Sequence, residues 1–272
     1  MTLIKLEIRQ RRKSMLVWTV VVLALTALFM SLYPQMQTEE MASLARIKLD
    51  GLSKSLLAAF GLQSMPDFTK IEEYFVYIFQ YIFLAACLLS AILGFDLLQR
   101  EEASGSIEYL YAMPVSRKQI YSYKMIAAIV LYTIFFVLMW GVSFALLRLF
   151  KPQYAALSSI FNEKMYFSVL YTYLASLAYM SMGMMLSALL HLQSKSANVG
   201  LGVFFVTYVM GIIGSVVERA KILKYFSFYD YANPSNLFYY ETEPVKGWIL
   251  AGAAVMFFLI GMVVYAKRDL HS

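Results

Sequence analysis

Six stretches of this chain contain no Asp, Glu, Lys, Arg or His: Met15–Tyr33, Phe75–Phe95, Met125–Leu147, Phe167–Leu190, Val199–Val217 and Trp248–Ala266. Each is close to the ~20 mostly apolar residues that an α-helix needs to cross a hydrocarbon core. The chain is therefore expected to be an all-α integral membrane protein with six transmembrane helices. Composition agrees: 61% of the 272 residues are hydrophobic and 15% are charged, against roughly one half and one quarter in soluble domains. No internal repeat, low-complexity tract or soluble domain interrupts the pattern, so residues 1–272 read as a single transmembrane domain.

The first run is preceded by "KLEIRQRRK", as a signal peptide would be. Its apolar stretch is longer than the usual ~7–15 residues, and "SLYPQM" has no small-residue cleavage site, so a retained first span is expected. Residues 1–14 are expected to form an interfacial helix. Lys5, Arg9, Arg12 and Lys13 share one face of it; Leu3, Ile4, Leu6 and Ile8 lie mostly opposite, with Glu7 and Arg11 interrupting that second face.

Six spans put both termini on one side, together with the loop 97–124. Basic residues crowd the span ends there: Lys5, Arg9, Arg11, Arg12 and Lys13 at the start, Lys267 and Arg268 at the finish. Basic flanks mark the cytoplasmic side, so both termini are expected in the cytoplasm of a cell carrying this multi-pass protein in its membrane. The net charge of +6 then serves orientation and contact with anionic membrane lipid, and no nucleic acid partner is expected.

The opposite loops are large. "EEMASLARIKLDGLSKSLLAAFGL" has helical periodicity broken at Gly51 and Gly61, which predicts one or two amphipathic helices on the outer surface. The last loop, from Glu218 to Gly247, is rich in Tyr and Phe and is expected to sit at headgroup level or dip back toward the membrane.

Chemistry is sparse. No Asp, Glu, Lys, Arg or His lies within the spans, which argues against a proton-coupled carrier. Asp96 falls just past the second span and His191 just past the fourth, where Asp96 suits capping or tethering at the membrane edge. No HExxH, GxSxG or GxxxxGK sequence occurs, and two histidines with one cysteine do not make a zinc site. Cys87 reads as a small buried hydrophobe. In "YMSMGMMLSALL", Met180 and Met184 share a helical face, with flexible apolar packing expected. No catalytic, cofactor-binding or metal site is expected in this chain, so any work it does draws energy from a partner.

The most polar segment is "LLQREEASGSIEYLYAMPVSRKQIYSYK", Leu97–Lys124. The second span is expected to continue into it until Gly105. A short helix over Ser106–Met113 follows, with Ile107, Leu110 and Tyr111 on one face and Glu108 in its first turn. Pro114 ends it. "SRKQ" is then a capping box, Ser116 at the N-cap and Gln119 three residues on, with Val115 and Ile120 at the hydrophobic-staple positions. A short amphipathic helix clamped between two stiff ones is suited to transmitting a push.

This segment resembles the cytoplasmic loop of ABC-2-type permeases, the membrane subunits of ABC exporters. The pattern is an acidic pair, a Gly-Ser step, an apolar-Glu pair, leucine-like positions, then Pro-Val-Ser-Arg and a later Lys. Glu101, Glu102, Gly105, Ser106, Glu108, Leu110, Pro114, Ser116, Arg117 and Lys124 occupy those places. The resemblance implies that the short helix is a coupling helix docked on a separate ATP-binding subunit, two copies of which carry the ATP and Mg. It also implies a second permease, identical or related, and export of amphipathic or hydrophobic cargo such as peptide, drug or lipid from a bacterial plasma membrane. The contact residues implied are Glu101, Glu102, Gly105, Ile107, Glu108, Leu110, Met113, Pro114 and Arg117, with His191 and Lys195 as a second contact. Two other classes share the frame: an ABC-2-like module that signals to or controls an extracytoplasmic partner without transport, and an ion-coupled secondary carrier.

Overall fold

The computed structural model describes residues 2–38, 66–103, 115–151, 157–190, 196–240 and 243–267, plus single positions between 40 and 62; the side chains of residues 2, 100–103 and 196–198 are not described. The expected outer-surface helices of the first large loop lie mostly outside these residues. Helices α1 (Thr2–Ser31), α2 (Tyr33–Met36), α3 (Ile71–Ala103), α4 (Arg117–Phe150), α5 (Ser159–Leu189) and α6 (Ser196–Val216) come first. A 3-10 helix (Glu218–Phe226) and the short α7 (Phe228–Ala232) and α8 (Pro234–Tyr239) lead to α9 (Pro244–Lys267). Among the described residues there is no strand, and six helices are long and apolar enough to cross a membrane: α1, α3, α4, α5, α6 and α9.

The segment expected as an interfacial helix is continuous with the first span, because α1 runs unbroken from Thr2 to Ser31. Nothing in "RQRRKSMLVW" breaks a helix, since Gly and Pro are both missing.

α3 and α5 form the centre of the bundle, whereas α1, α6 and α9 are the most exposed of the six. α5 packs against α3 on one side and α9 on the other, α1 against α4, and α6 against α3. Leu16, Val17 and Val20 of α1, Val130, Ile134 and Val137 of α4, and Val255, Leu259 and Val263 of α9 point outward. Such faces are at home in lipid, where no hydrophobic force drives helices together and small residues decide close approach. The α3–α5 crossing shows this. A methyl group added at Gly94 would overlap the Met180 carbonyl, and one at Gly183 would lie 2.6 Å from the Ala91 carbonyl oxygen. Ser90 donates to the Ser176 carbonyl within the same crossing.

At the end opposite the termini, the chain turns at Val217 and folds back along α6. The Lys224 backbone lies against Gly214, Ser227 against Gly211, and the Tyr229 ring against Tyr208. Tyr208 is about 12 Å back from Val216 at 1.5 Å per residue. Ser227 caps α7 through its hydroxyl, which accepts the Asp230 N–H, and Asn233 caps α8 by accepting the Ser235 N–H at 2.9 Å. α8 then returns outward, where the Tyr239 hydroxyl donates to Glu73 at 2.9 Å. The segment is thus re-entrant, consistent with its aromatic content.

Candidate functional site

The two ends of the bundle differ in chemistry. Through the middle, buried hydroxyls mostly bond to their own helix: Thr19 donates to the Met15 carbonyl, Thr26 to Val22, Ser143 to Met139 and Thr172 to Ser168. Met180 and Met184 are buried packing side chains. Among the described residues, no three His, Cys, Asp or Glu side chains come together. Charge lies at both ends, but the ion pairs at the end opposite the termini, Lys70–Glu73, Lys224–Asp230 and Lys246–Glu243, each include an exposed side chain, whereas the end that carries the N-terminus and the connection between α3 and α4 holds its charge buried.

Two long helices frame that connection. α3 has 33 residues and α4 has 34, so each is about 50 Å long at 1.5 Å per residue, well beyond a hydrocarbon core of ~30 Å. α4 begins with the expected capping box. The Ser116 hydroxyl accepts the Gln119 N–H at 3.3 Å, and the Ser116 N–H donates to the Gln119 side chain at 2.9 Å. Ile120 is buried in the core and Val115 packs, partly buried, against that core, as the hydrophobic-staple positions require. Arg117, half-buried, opens the helix. Glu101 and Glu102 belong to the last turn of α3. Gly105, Ile107, Glu108, Leu110, Met113 and Pro114 lie outside the described residues, as do His191 and Lys195. The structure therefore describes both arms of the loop and not its tip.

Between the arms sits a buried cluster of charge. Lys124, fully buried, donates to Glu7 Oε1 at 2.6 Å and to the Leu97 carbonyl at 2.9 Å. Arg11 donates through Nε to Glu7 Oε2 at 3.2 Å, through Nη1 to the Asp96 carboxylate, and through Nη2 to the Asp96 carbonyl at 2.9 Å. Glu7 and Arg11 keep only 1% and 3% of their surface exposed. Four residues from α1, α3 and α4 are thus joined by charge-assisted bonds, the strong kind.

Neighbouring contacts draw α5 and α9 to this end. Gln99 donates from Nε2 to the Ser187 and Leu190 carbonyls at the close of α5. Tyr121 packs against Phe258 and Tyr265 of α9, with Gly261 directly over its hydroxyl.

The sequence puts Asp96 and Lys124 at this end and shows Glu7 and Arg11 only as interruptions of an apolar face. The usable signal was spacing: Leu3, Glu7, Arg11 and Met15 recur every four residues and all are buried. The exposed face carries Lys5, Arg9, Arg12 and Lys13.

Six helices long and apolar enough to cross a membrane, three of them joined at one end by a buried cluster of charge, define a polytopic α-helical membrane protein. The model of a family described as ABC-2 family transporter protein matches residues 1–270, and the chain belongs to that family. It is a permease-type membrane subunit of an ABC transporter, a class that pairs with an ATP-binding subunit. No curated protein and no solved structure matches the chain.

Proposed function

We propose that this chain is the permease of an ATP-driven exporter, and that the loop between α3 and α4 is the socket for its ATP-binding subunit. The observation that carries this reading is the pair of arms. Two helices of about 50 Å leave the apolar layer and approach the same connection, and the second starts at a capping box that aims it. Glu101, Glu102, Gly105, Ile107, Glu108, Leu110, Met113, Pro114 and Arg117 would make the contact, with His191 and Lys195 adding a second one. ATP and Mg would reside on two copies of the partner, and no residue of this chain would be catalytic.

The exposed cations Lys5, Arg9, Arg12, Lys13 and Lys118 beside the arms support placing this end, and both termini, in the cytoplasm. A second permease, identical or related, would complete the pathway in the plasma membrane. The lack of Asp, Glu, Lys, Arg and His in the apolar stretches suits amphipathic or hydrophobic cargo.

The test is purification of the tagged chain from its native membrane in mild detergent, followed by identification of the chains that come with it. A near-stoichiometric subunit bearing a P-loop is the expected result. Recovery of the chain with an extracytoplasmic protein and no ATPase would favour a signalling module, and recovery of the chain alone a carrier.

A further inference from the structure

We propose that Glu7, Arg11, Asp96 and Lys124 form an ion lock that makes the first turns of α1 move as one body with the two arms of the α3–α4 loop. The reading rests on the proposed function for its purpose, because it assumes that the loop is pushed. Glu7 and Arg11 are then positioning residues of transport.

Covalent connection explains why α3 and α4 would follow a displacement of the loop. It does not explain α1, whose chain path to α3 runs through the whole first outer loop. α1 packs along α4, and the lock adds directional bonds that tie its first turns to both arms. Lys124 stands two turns into α4 from Ser116, and Asp96 two turns before the end of α3 at Ala103. A displacement of the loop tip therefore reaches the cluster through short, hydrogen-bonded lengths of helix on both sides. Adjacent carbonyls of α3, those of Asp96 and Leu97, receive Arg11 and Lys124 respectively. Glu7 joins both cations, at 3.2 Å and 2.6 Å. Each helix thus holds the other two.

Stability alone is a weak reason for such a cluster. Buried ion pairs exchanged for well-packed apolar residues often leave a fold as stable or more so, whereas removal of one partner is strongly destabilising. Directional bonds among three helices select one relative arrangement, in addition to the close packing that small residues allow in lipid.

The experiment uses spin labels on two exposed positions, Ser14→Cys on α1 and Lys118→Cys on α4, in a Cys87→Ala background. Inter-label distances are measured in lipid nanodiscs, on the chain alone and with its ATP-binding subunit, with and without trapped ATP. Glu7→Gln is compared with the double variant Glu7→Met, Lys124→Met, which removes both charges and keeps the site filled. The expected result is one narrow distance in the native chain, retained when ATP is trapped. In the double variant, folded with a native thermal midpoint, that single distance is lost to a broad distribution. A folded double variant with the native distance in both states would overturn the lock. Absence of any ATP-binding partner would overturn the proposed function, and the distances on the chain alone would still decide the lock.

Discussion

The Tyr229 hydroxyl donates a 2.9 Å hydrogen bond to the Gln80 carbonyl, joining residues 149 positions apart in the chain. The same ring stacks on Phe83 at 5.2 Å and meets Tyr208 edge-on at 5.2 Å. Hydrogen bonds between helices in membranes average only about 0.6 kcal/mol, so Tyr229→Phe is expected to cost about that much. Tyr229→Ala also deletes a buried ring and is expected to cost about 3–5 kcal/mol. Thermal midpoints in detergent check the order. Equal losses would show that the hydroxyl, and not the ring, holds the re-entrant segment.

Gly94 and Gly183 have no room for a methyl group, whereas an added methyl at Gly202 meets nothing within 4 Å. Gly94→Ala and Gly183→Ala are each expected to destabilise the bundle by about 1–3 kcal/mol or more, because backbone must shift to relieve the overlap. Gly202→Ala is expected to be neutral or slightly stabilising, since alanine is the better helix former. Monodisperse yield after size exclusion, followed by thermal midpoints, separates the two classes.

Burial raises the Asp230 carboxyl above its ordinary 3.8, against the opposing pull of Lys224 at 3.3 Å and Asn236 at 3.2 Å. The folded protein therefore holds this proton more tightly than the unfolded chain does. The resulting stabilisation is complete below pH 3.8 and is lost as the pH rises through the raised value. Asp230→Asn removes that dependence. The midpoint of the variant relative to the native protein is expected to climb with pH above about 3.8 and then level off. A flat difference would mean that Lys224 offsets the burial completely.

Glu108→Arg reverses a charge on the loop tip and leaves every span untouched. The variant is expected to insert and fold normally, yet bind its ATP-binding subunit about tenfold more weakly, a loss of about 1.4 kcal/mol. Titration of the purified partner onto detergent-solubilised variant and native chain measures this. Native affinity together with native ATP-driven activity would remove Glu108 from the coupling surface.

The membrane class and the six spans were legible without coordinates, because about twenty residues free of charge have few alternatives to crossing a bilayer. The start of α4 was legible for a local reason: Ser116 and Gln119 bond to each other's backbone within one turn, so spacing alone reveals the cap. The re-entrant course was partly legible, since clustered Tyr and Phe indicate an interface but not which helix the chain returns along. Hydropathy said nothing of which faces meet, because a helix in lipid is apolar toward its neighbours and toward the solvent alike. Only the packed bundle chose Gly94 and Gly183 as the point of closest approach. Only the packed bundle turned Glu7 and Arg11 inward, too. A charge four residues from another reads as an ordinary surface pair until helices from distant parts of the chain bring Asp96 and Lys124 to enclose it.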